Sequence, residues 1–131
     1  MKTILVVDDD AMNLKIAKFI LEQKNYYVKT VSSGFDCLSF LKNELVDLIL
    51  LDVEMPIMNG IKTLEIIRES KEFANLPVMF LTADATEETV IAAGKLNAVG
   101  YVKKPYEPND FLERVERALG ENDDFFILNS L

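Results

Sequence analysis

Short unbroken apolar runs recur along the chain, at residues 4–7, 48–51 and 78–81, each built of branched or large side chains. Runs of that length without polar alternation suit strands covered on both faces. Between them the apolar spacing lengthens to three and four. Over residues 11–24, Leu14, Ala17 and Leu21 share a face while Lys15, Lys18 and Glu22 form an opposite polar stripe, the pattern of a surface helix. Residues 26–31 predict a shorter, more polar strand suited to a sheet edge, and residues 35–42 a second helix ending before Asp47. After Leu51 a loop with Pro56 and Gly60 leads into a helix carrying Ile61, Leu64 and Ile67 on one side. Pro77 opens the next strand, where a missing N–H is tolerated. Thr86 followed by Glu87 and Glu88 predicts an N-cap with acids well placed against the helix dipole. Residues 90–96 behind it are only weakly amphipathic, so this fourth helix is expected to be the least firmly anchored. Residues 99–102 predict a last strand, and Pro108 begins a helix whose Phe111, Leu112, Val115 and Leu119 line one face before Gly120 stops it.

Five alternating strand and helix units imply an α/β fold: a five-stranded parallel sheet with right-handed crossovers and helices on both faces. The flavodoxin-like, doubly wound order 2-1-3-4-5 is one common solution and the one expected here, although the alternation itself does not dictate it. A length of 131 residues, half of them hydrophobic, suits one domain over residues 1–120. Residues 121–131 lie beyond the last unit and change from acidic to apolar at Phe125, Phe126, Ile127 and Leu128, as a tail or a linker stub would. Partial ordering of that apolar run against the domain or a neighbour is the expectation.

A formal charge of −8 argues against a direct grip on nucleic acid or an anionic membrane, because both need clustered Lys and Arg. Every apolar stretch is interrupted by charge well short of a membrane span. The single cysteine, Cys37, cannot form an internal disulfide, and Met1 runs straight into a strand, so a cytoplasmic location is expected. There is no histidine, which removes the usual triads, most zinc sites and any phosphohistidine carrier.

Asp8 and Asp9 follow the first strand, Asp52 the third, Thr82 the fourth, and Lys103 and Lys104 the fifth. In an open parallel sheet the carboxyl ends share one edge, and ligands bind outside it, so these residues are expected in one pocket. Crowded carboxylates repel unless a hard cation intervenes, and Mg²⁺ is the expected cofactor. Asp9 and Asp52 would be direct ligands, Asp8 would act through water, and the backbone carbonyl of Glu54 would complete the set. A carboxylate can attack phosphorus to form an acyl phosphate, a reaction that needs positioning and charge neutralisation more than covalent machinery. Asp52 is the expected nucleophile, with the Lys104 ammonium and the Thr82 hydroxyl meeting phosphoryl oxygens.

The combination of Asp8-Asp9, Asp52-Val53-Glu54-Met55-Pro56 with Gly60, Thr82-Ala83 and Lys104-Pro105 resembles the response-regulator receiver domains of two-component phosphorelays, over about residues 2–119. The resemblance implies that Asp52 is the phosphoacceptor, Asp8 and Asp9 the acidic pair, and Thr82 and Lys104 switch residues, with a cis peptide at Lys104-Pro105. It also places Tyr101 at an aromatic switch position, and Glu54 and Asp84 where hydrolytic water would be tuned. It implies signalling through the surface of the fourth helix, fifth strand and fifth helix, and no turnover of a substrate as an enzyme. Asn97 and Asn59 stand where glycine and aspartate are usual, and asparagine tolerates the left-handed backbone of such turns.

Since the chain has neither histidine nor a phosphate-binding Gly-Lys-Ser/Thr loop, a histidine kinase or histidine phosphotransfer protein is the expected phosphodonor, with Lys15 and Lys18 candidate contacts. The output domain or target is not legible, and a phosphorylation-dependent dimer is a candidate. Asp10, just before a helix, reads as a cap and not a ligand. Lys103 is not the matching lysine, Cys37 reads as core packing, and Met55 and Met58 as loop packing. The rival readings are a haloacid-dehalogenase-like phosphohydrolase, which wants aspartate where Glu54 stands, and a receiver-fold module that no longer switches.

Overall fold

The computed structural model describes residues 1–121. Its elements alternate as β1 (Thr3–Val7), α1 (Ala11–Glu22), β2 (Tyr27–Val31), α2 (Gly34–Asn43), β3 (Leu48–Asp52), α3 (Gly60–Glu69), β4 (Val78–Thr82), α4 (Glu87–Lys95), β5 (Gly100–Lys103) and α5 (Pro108–Ala118). The five strands pair in parallel in the order β2-β1-β3-β4-β5. The more polar β2 does lie at an edge.

The apolar runs hide a period of two. Ile4 and Val6, Leu48 and Leu50, and Met79 and Leu81 pack with Ala17 and Leu21 of α1 and Phe111 and Val115 of α5. Their neighbours Leu5 and Val7, Ile49 and Leu51, and Val78 and Phe80 pack on the other face with Cys37 and Leu41 of α2 and Leu64 and Ile67 of α3. Residues 4–7, 48–51 and 78–81 of the central strands are therefore apolar without a break because both faces are roofed by helices.

Helix ends follow the local chemistry. Asp10 caps α1, its Oδ1 accepting from Met12 N at 2.8 Å and Asn13 N at 3.4 Å, and Thr86 Oγ1 accepts from Thr89 N at 3.2 Å to cap α4. α1 stops at Glu22, two residues short of the expected end. Gln23, Lys24 and Asn25 donate to carbonyls three residues back, and Asn25 then turns left-handed at φ 62°, so the last turn tightens and closes. The second and last strands also begin one residue later than expected, at Tyr27 and Gly100. Asn97 does adopt the left-handed backbone, at φ 56°. Asn59 does not: at φ −74° it is the N-cap of α3, with Oδ1 accepting from Lys62 N at 2.9 Å, and the left-handed residue of that loop is the exposed Ile57 at φ 70°. The asparagine at 59 is thus explained by capping, which needs a short side-chain acceptor and no unusual φ.

α4 buries only Thr89, in keeping with its weak amphipathicity. What holds its far end is a residue the apolar pattern passes over. Arg68 of α3 donates through Nε to Leu96 O and through one terminal nitrogen to Phe73 O and Leu76 O, all at 2.8 Å, and through the other to Asn97 O at 3.2 Å. One guanidinium thereby satisfies the end of α4, the left-handed Asn97 and the 3₁₀ turn Lys71–Phe73, which was not anticipated from the sequence. Replacing Arg68 with Met should keep the apolar stem and lose these bonds. We expect destabilisation of about 1–3 kcal/mol by urea unfolding, with faster amide exchange at residues 95–98. Unchanged exchange there would show that the clamp carries no weight.

Candidate functional site

Strand register brings the predicted residues together. Val7 lies beside Leu51, Asp52 beside Leu81, and Thr82 beside Lys103, so the ends of β1, β3, β4 and β5 form one continuous edge. Asp8, Asp9, Asp52, Thr82 and Lys104 all stand on it. Asp8 and Asp52 are buried, at 0% and 3% exposure, while Asp9 is open to solvent. One carboxylate oxygen from each of Asp8, Asp9 and Asp52 lies within 4.8 Å of the others. Lys104 Nζ sits between the two buried acids, 2.7 Å from Asp8 Oδ2 and 3.1 Å from Asp52 Oδ1. Lys103, its neighbour, is exposed.

The backbone holds these carboxylates in place. Asp10 N donates to Asp8 Oδ1 at 2.9 Å, and Glu54 N to Asp52 Oδ1 at 3.2 Å. The loop after Asp52 folds back so tightly that a Cβ at Gly60 would run into the carbonyl oxygen of Asp52, and Gly60 N donates to Val53 O at 2.9 Å. Glycine is required here by close backbone approach, not by its φ. The side chain of Glu54 is exposed, and together with Asp84 and Glu88 it lines a cleft of about 620 Å³ beside the strand ends.

The electrostatics follow from burial. Burial pushes the Asp52 carboxyl up to about 7; the Lys104 ammonium works against this and the nearby Asp8 charge adds to it. For Lys104, burial opposes the charged form, but the hydrogen bond to Asp8 and the Asp52 carboxylate outweigh it and raise the ammonium above its ordinary value. Asp8 Oδ2 has no hydrogen-bond donor in line with it beyond this ion pair. Two buried acids and one exposed acid therefore share a single ammonium, which leaves net negative charge and free oxygen lone pairs facing one another. That donor set, oxygen only, suits a hard divalent cation.

Thr82 is buried with its hydroxyl turned into its own loop: Oγ1 donates to Asp84 O at 2.8 Å and accepts from Asp84 N at 3.1 Å. Tyr101 is outward, 37% exposed, with the Arg114 guanidinium 5.4 Å from its ring centroid and Arg114 also donating to Tyr101 O at 3.0 Å. The Lys104-Pro105 peptide is cis. Tyr106, which the sequence reading did not single out, stacks on Phe111 at 4.6 Å and has a buried hydroxyl with no partner. Burial first, then the charges of Asp8, Asp52 and Asp10, raise its pKa. Its place two residues after Lys104 was the available signal. Cys37 is fully buried in the core, and Met55 and Met58 are buried as loop packing. The apolar run at residues 125–128 lies outside the described residues. Among the described residues no helix is long and apolar enough to cross a membrane.

Comparison with known proteins places this geometry in context. The family model described as response regulator receiver domain matches residues 4–116. The response regulator SaeR of Staphylococcus aureus is 35% identical over 120 residues, covering 91% of this chain and 51% of its own length. The chain thus spans about half the length of the curated relatives it matches. Among solved structures, chemotaxis protein CheY4 of Vibrio cholerae superposes with a TM-score of 0.87 at 27% identity, covering 91% of this chain and 99% of that one. A CheY-like response regulator receiver domain protein from Methanospirillum hungatei gives 0.85 at 31% identity, covering 95% and 98%.

Proposed function

The chain belongs to the response regulator receiver domain family, a signalling family of two-component systems, and from that premise we propose that Asp52 accepts a single phosphoryl group from the phosphohistidine of a histidine kinase or histidine phosphotransfer protein. The observation that carries this reading is the buried Asp52 carboxylate, held by Glu54 N and paired with Lys104, inside a cluster of three acids at the sheet edge.

An oxygen of Asp52 forms a bond to phosphorus as the donor's P–N bond breaks, which leaves an acyl phosphate here and a free imidazole on the donor. Asp8, Asp9, Asp52 and the backbone carbonyl of Glu54 are the residues that would hold Mg²⁺, and when bound the ion offsets phosphoryl charge. Lys104 is already 3.1 Å from the attacking carboxylate and supplies an ammonium to a phosphoryl oxygen without further movement of the strand. Burial of Asp8, Asp52 and Thr82 limits the water that can reach the acyl phosphate, and Glu54 and Asp84, facing the same cleft, tune the remainder.

Thr82 offers the switch. Its hydroxyl is committed to Asp84, so donating to a phosphoryl oxygen requires that bond to break and the loop from Ala83 to Thr86 to shift. α4, whose one fully buried residue is Thr89, with Ala93 and Leu96 partly buried against the core and Arg68 at its far end, follows the loop. Tyr101, now outward, gains room to turn in. The surface of α4, β5 and α5 then differs between the two states, which is how an output domain or partner would read them.

The test is intact-mass spectrometry after incubation with Mg²⁺ and acetyl phosphate. We expect one phosphoryl adduct per chain, absent in EDTA. Many turnovers of added phosphomonoesters would instead favour a hydrolase, and absence of any adduct with acetyl phosphate and with a phosphorylated histidine phosphotransfer protein would overturn the reading.

A further inference from the structure

The loop between β3 and α3 holds a peptide link that can rearrange by itself. Of the asparagines in the chain only Asn59 is followed by glycine. In an Asn-Gly pair the backbone nitrogen meets no neighbouring Cβ as it closes on the asparagine amide carbon. Asn59 is exposed, so solvent reaches that amide. In the closed loop, however, both reacting groups are engaged. Gly60 N donates to Val53 O at 2.9 Å, and Asn59 Oδ1 accepts from Lys62 N, also at 2.9 Å. The main-chain carbonyl of Asn59 is fixed as well, accepting from Thr63 N at 3.0 Å and from Thr63 Oγ1 at 2.8 Å.

The same loop carries a reason to open. Ile57, two residues before Asn59, is left-handed at φ 70°, a costly conformation for a β-branched residue, and at 96% exposure its side chain gains no packing in return. Met58 N donates to Pro56 O at 2.8 Å, which closes a strained three-residue turn around it. Exposed loop segments under strain are where local opening costs least.

We propose that Asn59-Gly60 is a spontaneous modification site: Asn59 deamidates through a cyclic imide when the loop opens, the closed loop holds the reaction back, and the isoaspartyl product cannot resume the closed loop. Gly60 N forms a bond to Asn59 Cγ as the bond from Cγ to Nδ2 breaks, and the proton lost from Gly60 N leaves, by way of solvent, with the departing ammonia. Water then opens the imide. Breaking the bond from the nitrogen to Cγ leaves aspartate, and breaking the bond from the nitrogen to the Asn59 carbonyl carbon leaves isoaspartate, with the main chain rerouted through Cβ and Cγ. Aspartate keeps a cap oxygen for Lys62 N and places negative charge at the start of α3, where it is favourable. Isoaspartate lengthens the main chain by one methylene and removes from it the carbonyl that Thr63 holds. The loop has no slack for this, since even a Cβ at Gly60 would run into the carbonyl oxygen of Asp52. The damage therefore falls on the strand end that carries Asp52.

The full chain and a synthetic peptide of residues 53–63, incubated side by side in mildly alkaline buffer, test this without recourse to phosphorylation. Digestion at acid pH and electron-transfer fragmentation separate asparagine, aspartate and isoaspartate at position 59. We expect the chain to convert several-fold more slowly than the peptide, with Asn97, which alanine follows, unchanged. Ile57→Gly should slow conversion of the chain further, because glycine takes φ 70° without strain; a rate equal to or above that of the native chain would remove strain as the cause of opening. Chain isolated in the isoaspartyl form should unfold at lower urea than the native chain, while Asn59→Asp unfolds near the native midpoint. Equal rates in chain and peptide would overturn the proposal, as would an Asn59 still intact in the chain long after the peptide has converted. Matching urea midpoints for the isoaspartyl and native chains would overturn the claim that the loop cannot accept the product.

Discussion

Asp52→Asn is expected to abolish the phosphoryl adduct completely, with no slower residual phase at any Mg²⁺ concentration. The amide keeps the shape of the carboxylate and an oxygen for Glu54 N, so the strand end should persist. What it lacks is the anionic oxygen that, on the proposed reading, would attack phosphorus. No neighbour can substitute: Asp8 is fully buried with its Oδ2 against Lys104, and Asp9 is open to solvent without a lysine of its own. Intact mass of native and variant chains after equal exposure to acetyl phosphate reads the result, and matching circular dichroism spectra show that both are folded. An adduct retained by Asp52→Asn and mapped to Asp8 or Asp9 would sink the assignment.

The second large effect is a stability that falls as pH rises. Burial raises the Asp52 pKa to about 7 in the folded protein, well above the ordinary carboxylate range that applies once the chain unfolds. Between those two values the folded state holds a proton that the unfolded state has released. The contribution is therefore fully present below about pH 4 and lost as pH climbs through 7, a loss on the order of 2–3 kcal/mol between pH 5 and pH 8. Other carboxylates titrate in the same range, so the measurement is the difference in urea-unfolding stability between the native chain and Asp52→Asn. That difference should shift in favour of the variant by roughly this amount from pH 5 to pH 8. Mg²⁺ favours the ionised cluster, so it should recover stability in the native chain chiefly at the higher pH and release a proton on binding near pH 7. Parallel stability curves for the two chains, with no response to Mg²⁺, would contradict the raised Asp52 pKa.

These effects arise from the same arrangement. A buried acid without enough compensating charge is costly, and on the proposed reading that cost would favour binding of a divalent ion and then of a phosphoryl group. Lys104 alone cannot neutralise Asp8, Asp9 and Asp52.

Much of this was legible in the linear sequence, because it rests on local properties. Residues such as Ile49, Leu50 and Leu51 are apolar without interruption because both faces of β3 are covered, and that burial is written into every position. Asp10 and Thr86 announced their helices because a short side-chain acceptor beside the first free N–H groups is a matter of a few residues. Asp8, Asp9, Asp52, Thr82 and Lys104 could be referred to one edge because each ends a strand, and parallel strands end together. Pairings between distant segments were not legible. Asn59 was read as a turn residue although it caps α3, since the choice between the two depends on where the chain goes next. Arg68 looked like one more charge in the last turn of α3, and only the folded chain brings the carbonyls of residues 73, 76, 96 and 97 within its reach. The present partner of the Thr82 hydroxyl, the outward Tyr101, the buried hydroxyl of Tyr106 and the placing of Glu121 on Tyr26 are likewise products of the tertiary structure. Sequence determined the alternation of elements and the chemistry available at the strand ends, because periodicity and capping act over a few residues. The tertiary structure alone decided which of those groups are buried and which charge balances which, because these depend on contacts between residues far apart in the chain.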